Sequence, residues 1–104
     1  MPGPLSGVVV LDFTQLLQGP YATQMLGDMG AEIIKIEPPG GDWMRKFALS
    51  NLYLGGESVS FLAFNRNKRS LTLNLKQPGG AAVVKRLAAR ADVVIENFRP
   101  GVME

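Results

Sequence analysis

The stretch Gly7–Glu37, GVVVLDFTQLLQGPYATQMLGDMGAEIIKIE, decides the fold. It opens on a short Val-rich apolar run, the pattern of a strand buried on both faces. Pro20 suits the first turn of a helix, where its missing N–H costs nothing. Tyr21, Met25 and Met29 recur every four residues, so they share one helix face and predict its apolar side. Gly30 reads as the left-handed stop, and EIIKIE, Glu32–Glu37, as a second apolar strand. Strand–helix–strand units of this kind are nearly always right-handed and parallel.

Working outward, PPGGDWMRKFALSNLYLGG has loop composition but is long, and long loops in compact domains are usually functional or mobile. SVSFLAFNRN predicts a short helix with Ser58 or Ser60 as its cap. RSLTLNLK alternates Leu71, Leu73 and Leu75 with polar neighbours, as a strand with one wet face does. QPGGAAVVKRLAARA predicts a helix starting at Pro78, with Val83, Val84, Leu87, Ala88 and Ala91 as its apolar stripe. Lys85, Arg86 and Arg90 lie toward its C-terminal end, where the dipole favours cations. DVVIENF is a fourth strand. The order predicts an α/β fold: Rossmann-like, with a mostly parallel open sheet and flanking helices.

Composition narrows the chemistry. At 104 residues the chain is one domain at most, and 46% hydrophobic with 19% charged residues argues against disorder. A formal charge of +2 is too small to argue for nucleic acid. With no cysteine and no histidine, disulfides, thiolate catalysis, a Ser-His-Asp arrangement and His- or Cys-ligated metals are excluded within these residues. The opening MPGPLSG lacks a signal-peptide pattern and the apolar runs are of strand length, so neither leader nor membrane span is expected, and the expected compartment is the cytoplasm.

Three segments should reach the carboxyl ends of the strands, where ligands gather in such sheets. FTQLLQGPYA lacks the GxGxxG dinucleotide pattern, yet the helix start near Gly19 offers free N–H groups to an anion. An ordinary strand-to-helix turn with solvated Gln15 and Gln18 is the commoner outcome. In NRNKRS, Arg66, Lys68 and Arg69 suit phosphates, or else pair with surface carboxylates. In ENFRPG, Asn97, Phe98 and Arg99 suit a ligand amide, a flat ring and a phosphate, or else a plain turn. Among the carboxylates, Asp12 is expected to accept backbone hydrogen bonds, Asp28 to be solvated, and Glu37 to sit where an acid can meet a ribose.

Taken together, GVVVLDFTQLLQGPYATQMLGDMGAEIIKIEPPGGD, FNRNKRSLTLNLK and ADVVIENFRPGVME resemble the N-terminal end of the class III coenzyme A transferases, the formyl-CoA and carnitine CoA-transferase group. The resemblance runs over nearly the whole chain. It implies that residues 1–104 are the N-terminal portion of a larger Rossmann-like domain, a single partial domain, in a protein that forms an interlocked homodimer. It implies transfer of CoA between carboxylic acids through an aspartyl-CoA thioester, with acyl-CoA and a carboxylic acid as partners, no permanently bound cofactor and no metal. The family's nucleophilic aspartate lies downstream of Glu104, so the chain alone is expected to be inactive. Carried over residue by residue, the CoA contacts are Gln15, Leu16, Leu17 and Gln18, then Leu73 and Lys76, then Asn97, Phe98 and Arg99. Pro38 stands where some members carry Arg for the nucleotide phosphate, so that contact is lost or moved; Leu17 stands where the formyl-CoA enzymes carry Gln near the catalytic carboxylate, so their substrate class does not carry over. An α-methylacyl-CoA racemase, which shares the fold, and a non-catalytic CoA-binding module are the competing expectations.

Overall fold

The computed structural model describes residues 3–15, 18–42, 45, 53–54 and 57–98, without the side chains of 53–54, 57–60 and 62. Its centre is a four-stranded sheet built from β1 (Val9–Asp12), β2 (Glu32–Glu37), β5 (Lys68–Thr72) and β6 (Val93–Ile95). The spatial order is β5-β2-β1-β6, and every pairing is parallel. β3 (Tyr53–Leu54), in the long segment read as a loop, pairs antiparallel with β4 (Glu57–Ser58), just past it, as a separate two-stranded sheet. Among the described residues, the helices between these strands include α1 (Gln18–Asp28), α2 (Val59–Phe64) and α3 (Pro78–Ala88).

The chain steps outward from β1 to β2 to β5, then returns across the sheet to β6. With right-handed crossovers, that reversal puts α1 and α3 on opposite faces. The two apolar clusters agree. Val10, Ala31 and Ile33 pack with Leu26 of α1. Leu11, Phe13 and Ile36 pack with Val84 and Leu87 of α3, and with Ala91 beyond it. Strand alternation supplies both faces from one strand, as the apolar run of β1 requires.

The element ends have local causes. Gly30 adopts a φ of +104°, and the Ala31 N–H returns to the Leu26 carbonyl at 3.1 Å, so α1 ends in the expected left-handed turn. At α3, Pro78 occupies the first turn after an extended Gln77. Strand β5 starts and stops earlier than its alternation predicts. The Asn74 side-chain oxygen takes the Lys76 N–H at 3.1 Å, and the Asn74 carbonyl takes the Gln77 N–H at 3.2 Å. That turn leaves Leu73 just past the strand and Leu75 exposed.

Two helix faces differ from expectation. Tyr21, Met25 and Met29 do share a face of α1, but it is outward, at 49%, 47% and 39% exposed. The inward residues are Pro20, Thr23 and Gln24. Thr23 and Gln24 are polar because the sheet beneath them is polar at that end. On α3, Val83 and Ala88 are exposed, while Val84, Leu87 and Ala91 pack.

Candidate functional site

In a sheet of this order the crevice opens where the strand order reverses, outside the carboxyl ends of β1 and β6. Asn97, two residues past β6, spans that point. Its Nδ2 donates to the Gln15 carbonyl at 3.1 Å, and its Oδ1 accepts the Gln15 N–H at 3.3 Å. The side chain read as a partner for a ligand amide therefore also clamps the loop after β1. Phe98 follows, with its ring centroid 6.3 Å from that of Phe13 and tilted by 60°. Its own N–H is taken by the Glu96 carboxylate at 2.7 Å.

Leu73, beyond β5, packs on the same apolar cluster as Phe98. Lys76 is exposed in the turn leading to α3, and Gln18 is exposed at the first position of α1. Of the expected contacts, Gln15, Asn97, Phe98 and Leu73 are thus joined through hydrogen bonds and one shared cluster. Leu16, Leu17 and Arg99 lie outside the described residues.

Beneath the crevice, on the α1 side, lies a buried ionic network. Asp12 is fully buried. Its Oδ1 accepts the Thr14 N–H at 2.8 Å and the Thr14 hydroxyl at 2.5 Å, and its Oδ2 accepts the Thr23 hydroxyl at 2.7 Å. The backbone-accepting role expected for this aspartate holds. Lys68 Nζ lies 3.4 Å from Asp12 Oδ2 and donates to the Pro20 carbonyl and to Asn65 Oδ1. Burial depresses the Lys68 ammonium to about 8, against the pull of Asp12 and with a push from Lys35. Lys35, 1% exposed, donates to the Thr14 carbonyl at 3.0 Å and lies 2.8 Å from Asp42 Oδ2.

Glu37 completes the network. It accepts from Arg45 at 2.6 and 2.8 Å, from the Asp42 N–H at 3.0 Å and from the Ser70 hydroxyl. Arg45 in turn stacks over Phe61, 4.0 Å from the ring centroid. Burial alone would raise the Glu37 carboxyl, but these donors and the Arg45 charge hold it down at about 2. This is a correction to the ribose reading of Glu37, because both its oxygens are engaged inside the protein.

The cations of NRNKRS have internal partners as well. Arg66 pairs with Asp28 at 2.8 Å, Lys68 is buried beside Asp12, and Arg69 lies 3.1 Å from Glu32. Asp28, expected to be solvated, also takes the Asn67 amide at 2.8 Å. Hydrogen bonding from Arg66 lowers its pKa. The phosphate reading of this cluster gives way to carboxylate pairing.

Sequence reasoning passed over Lys35, Asp42, Thr14 and Thr23. A signal for Lys35 existed: it shares strand parity with Ile33, so a strand buried on that face must bury the lysine too. Among the described residues no group of three or more His, Cys, Asp or Glu side chains could hold a metal ion, and no helix is long and apolar enough to cross a membrane.

An all-parallel open sheet whose strand order reverses between β1 and β6, flanked by helices, defines an α/β protein of the Rossmann-like class. Sequence relatives place it more narrowly. The profile of CoA-transferase family III matches residues 5–104, and the chain belongs to that family. It is 50% identical over 99 residues to human succinyl-CoA:glutarate CoA-transferase, covering 94% of this chain and 22% of that protein. It is 48% identical over 103 residues to acetyl-CoA:oxalate CoA-transferase of Acetobacter aceti, covering 98% and 26%. The crystal structure of a CAIB/BAIF family protein from Brucella suis superposes with a TM-score of 0.89 at 41% identity, over 97% of this chain and 27% of that one. The chain therefore spans about a quarter of the length of the relatives it matches.

Proposed function

We propose that the protein transfers coenzyme A between carboxylic acids, and that this chain supplies part of the CoA site. Its membership of CoA-transferase family III over residues 5–104 carries the reading. The CoA contacts proposed are Gln15, Leu16, Leu17 and Gln18 after β1, Leu73 and Lys76 after β5, and Asn97, Phe98 and Arg99 after β6. Three loops at one sheet edge suit a long, bent ligand with a nucleotide at one end and a thioester at the other.

In the proposed chemistry an aspartate carboxylate attacks the acyl-CoA thioester, expelling CoA thiolate and leaving a mixed anhydride. The thiolate attacks the aspartyl carbonyl, which releases the donor acid and forms aspartyl-CoA. The acceptor carboxylate then attacks the aspartyl-CoA carbonyl, expelling thiolate. The thiolate takes the acyl group from the new anhydride, giving new acyl-CoA and restoring the aspartate. The structure supports a nucleophile outside this chain. Asp12 is bound by Thr14 and Thr23, Asp42 faces Lys35, Asp28 faces Arg66, and the Asp92 carboxylate accepts the Val9 N–H at 2.8 Å. The same reading proposes an interlocked homodimer.

The test is incubation of the native gene product with succinyl-CoA and, in turn, glutarate, oxalate and malate. The expected result is a new acyl-CoA with release of succinate, and no turnover by residues 1–104 alone. Exchange of the Cα proton of a 2-methylacyl-CoA without CoA transfer would replace this reading with racemase chemistry. CoA binding with neither reaction would leave a binding module.

A further inference from the structure

We propose that Lys35, seated on Asp42, is a positioning residue that holds the CoA-binding loop after β1 in its binding geometry. The inference rests on the CoA-site reading above. The loop leaves β1 at Asp12 and enters α1 at Gln18. Its first residues are tied at successive backbone groups. Thr14 N–H goes to Asp12 Oδ1 at 2.8 Å, Thr14 C=O to Lys35 Nζ at 3.0 Å, and both backbone groups of Gln15 to Asn97. Its far end is tied too: Lys68 Nζ holds the Pro20 carbonyl at 2.9 Å, and Gly19 lies so close to Thr14 that an added Cβ would overlap the Thr14 side chain.

Lys35 reaches the Thr14 carbonyl from β2 and is itself held from a third segment. Asp42, 1% exposed, lies in the loop after β2 and stands 2.8 Å from the ammonium. The pair thus links the loops after β1 and β2 underneath the crevice. A buried ion pair is weak evidence for stability, since an apolar pair of similar volume often serves as well. A strand lysine whose ammonium ends on a loop carbonyl does something an apolar pair cannot: it fixes where that carbonyl points. A loop already held in its bound geometry loses less conformational freedom on binding, so loosening it lowers affinity.

The test compares wild type with the double variant Lys35→Met/Asp42→Asn, which removes the charges together, and with Thr14→Val, which removes only the hydroxyl bond to Asp12. Four quantities are read in the native gene product: melting temperature, amide exchange at Thr14 and Gln15, the Kd for coenzyme A by calorimetry, and kcat at saturating acyl-CoA. The expected result for the double variant is faster exchange at these two amides and a Kd about tenfold higher, with kcat at saturating acyl-CoA nearly unchanged. Thr14→Val should raise the Kd by a smaller factor, about two- to fivefold. A melting temperature that falls while the Kd of the folded protein stays put makes Lys35 merely structural and overturns the inference. If the double variant does not fold, Asp42→Asn alone, which removes the charge that seats Lys35 beneath the Thr14 carbonyl, is read in the same way, and an unchanged Kd there overturns the inference equally. Wild type that fails to bind coenzyme A overturns the site reading and this inference together, whereas wild type that binds beside variants that bind equally well overturns this inference alone.

Discussion

At the scale of single residues, the switch point depends on Asn97 and Gly19. Asn97 uses one donor and one acceptor on Gln15 and closes the crevice floor between β1 and β6. Asn97→Asp keeps the acceptor but loses the donor to the Gln15 carbonyl, so it is expected to weaken CoA binding several-fold, on the order of 1 kcal/mol. Calorimetric titration of the variant with coenzyme A checks this. Gly19 tolerates no side chain, because a Cβ there would overlap Thr14. Gly19→Ala is expected to destabilise by about 1–3 kcal/mol through overpacking, read as a lower urea midpoint at unchanged slope. Neither role was legible beforehand. Sequence marks Asn97 as a polar turn residue and Gly19 as a helix-start glycine, but neither spacing says that residues 15 and 97 meet.

At the scale of elements, the strand–helix–strand unit was readable and the helix faces were not. Glu32–Glu37 is found as expected, and Gly30 ends α1 at positive φ. Gly30→Ala should therefore cost about 1–2 kcal/mol of stability, measured by denaturant unfolding. The outward stripe of Tyr21, Met25 and Met29 misleads because hydrophobicity stood in for burial. Helix α1 crosses the polar end of the sheet, so Thr23, which is fully buried, packs inward to bond Asp12. The same polar end hid the network: Lys35 and Glu37 look like solvated members of an apolar strand, yet period two puts both on the α1 face with Ile33. Strand β5 ended early for a different reason. The side chain of Asn74 competes with the ladder for the backbone, which the regular spacing of Leu71, Leu73 and Leu75 conceals.

At the scale of the whole molecule, the buried charges set how stability depends on pH. Glu37 titrates at about 2 in the folded protein, against 4.5 for a free glutamate side chain. Between these values the unfolded chain binds the proton more readily, so acid favours unfolding. The contribution is complete above about 4.5 and is lost as pH falls through 2, for a total of roughly 3 kcal/mol. Lys68 behaves in the opposite sense at the other end. Its ammonium titrates at about 8 when folded and at 10.5 as a free lysine side chain, so between these values the unfolded chain holds the extra proton. Stability contributed by this group accordingly rises with pH across that window, as the cost of burying its charge is relieved. Urea midpoints measured at intervals from pH 2 to 10.5 should show an acid limb and an alkaline rise. Arg45→Met is expected to flatten the acid limb, because it removes the two bonds that hold Glu37 ionised. Lys68→Met should abolish the alkaline rise. An alkaline rise that persists in Lys68→Met would assign it to another group and show the ammonium of Lys68 to be adequately compensated by Asp12, Asn65 and the Pro20 carbonyl.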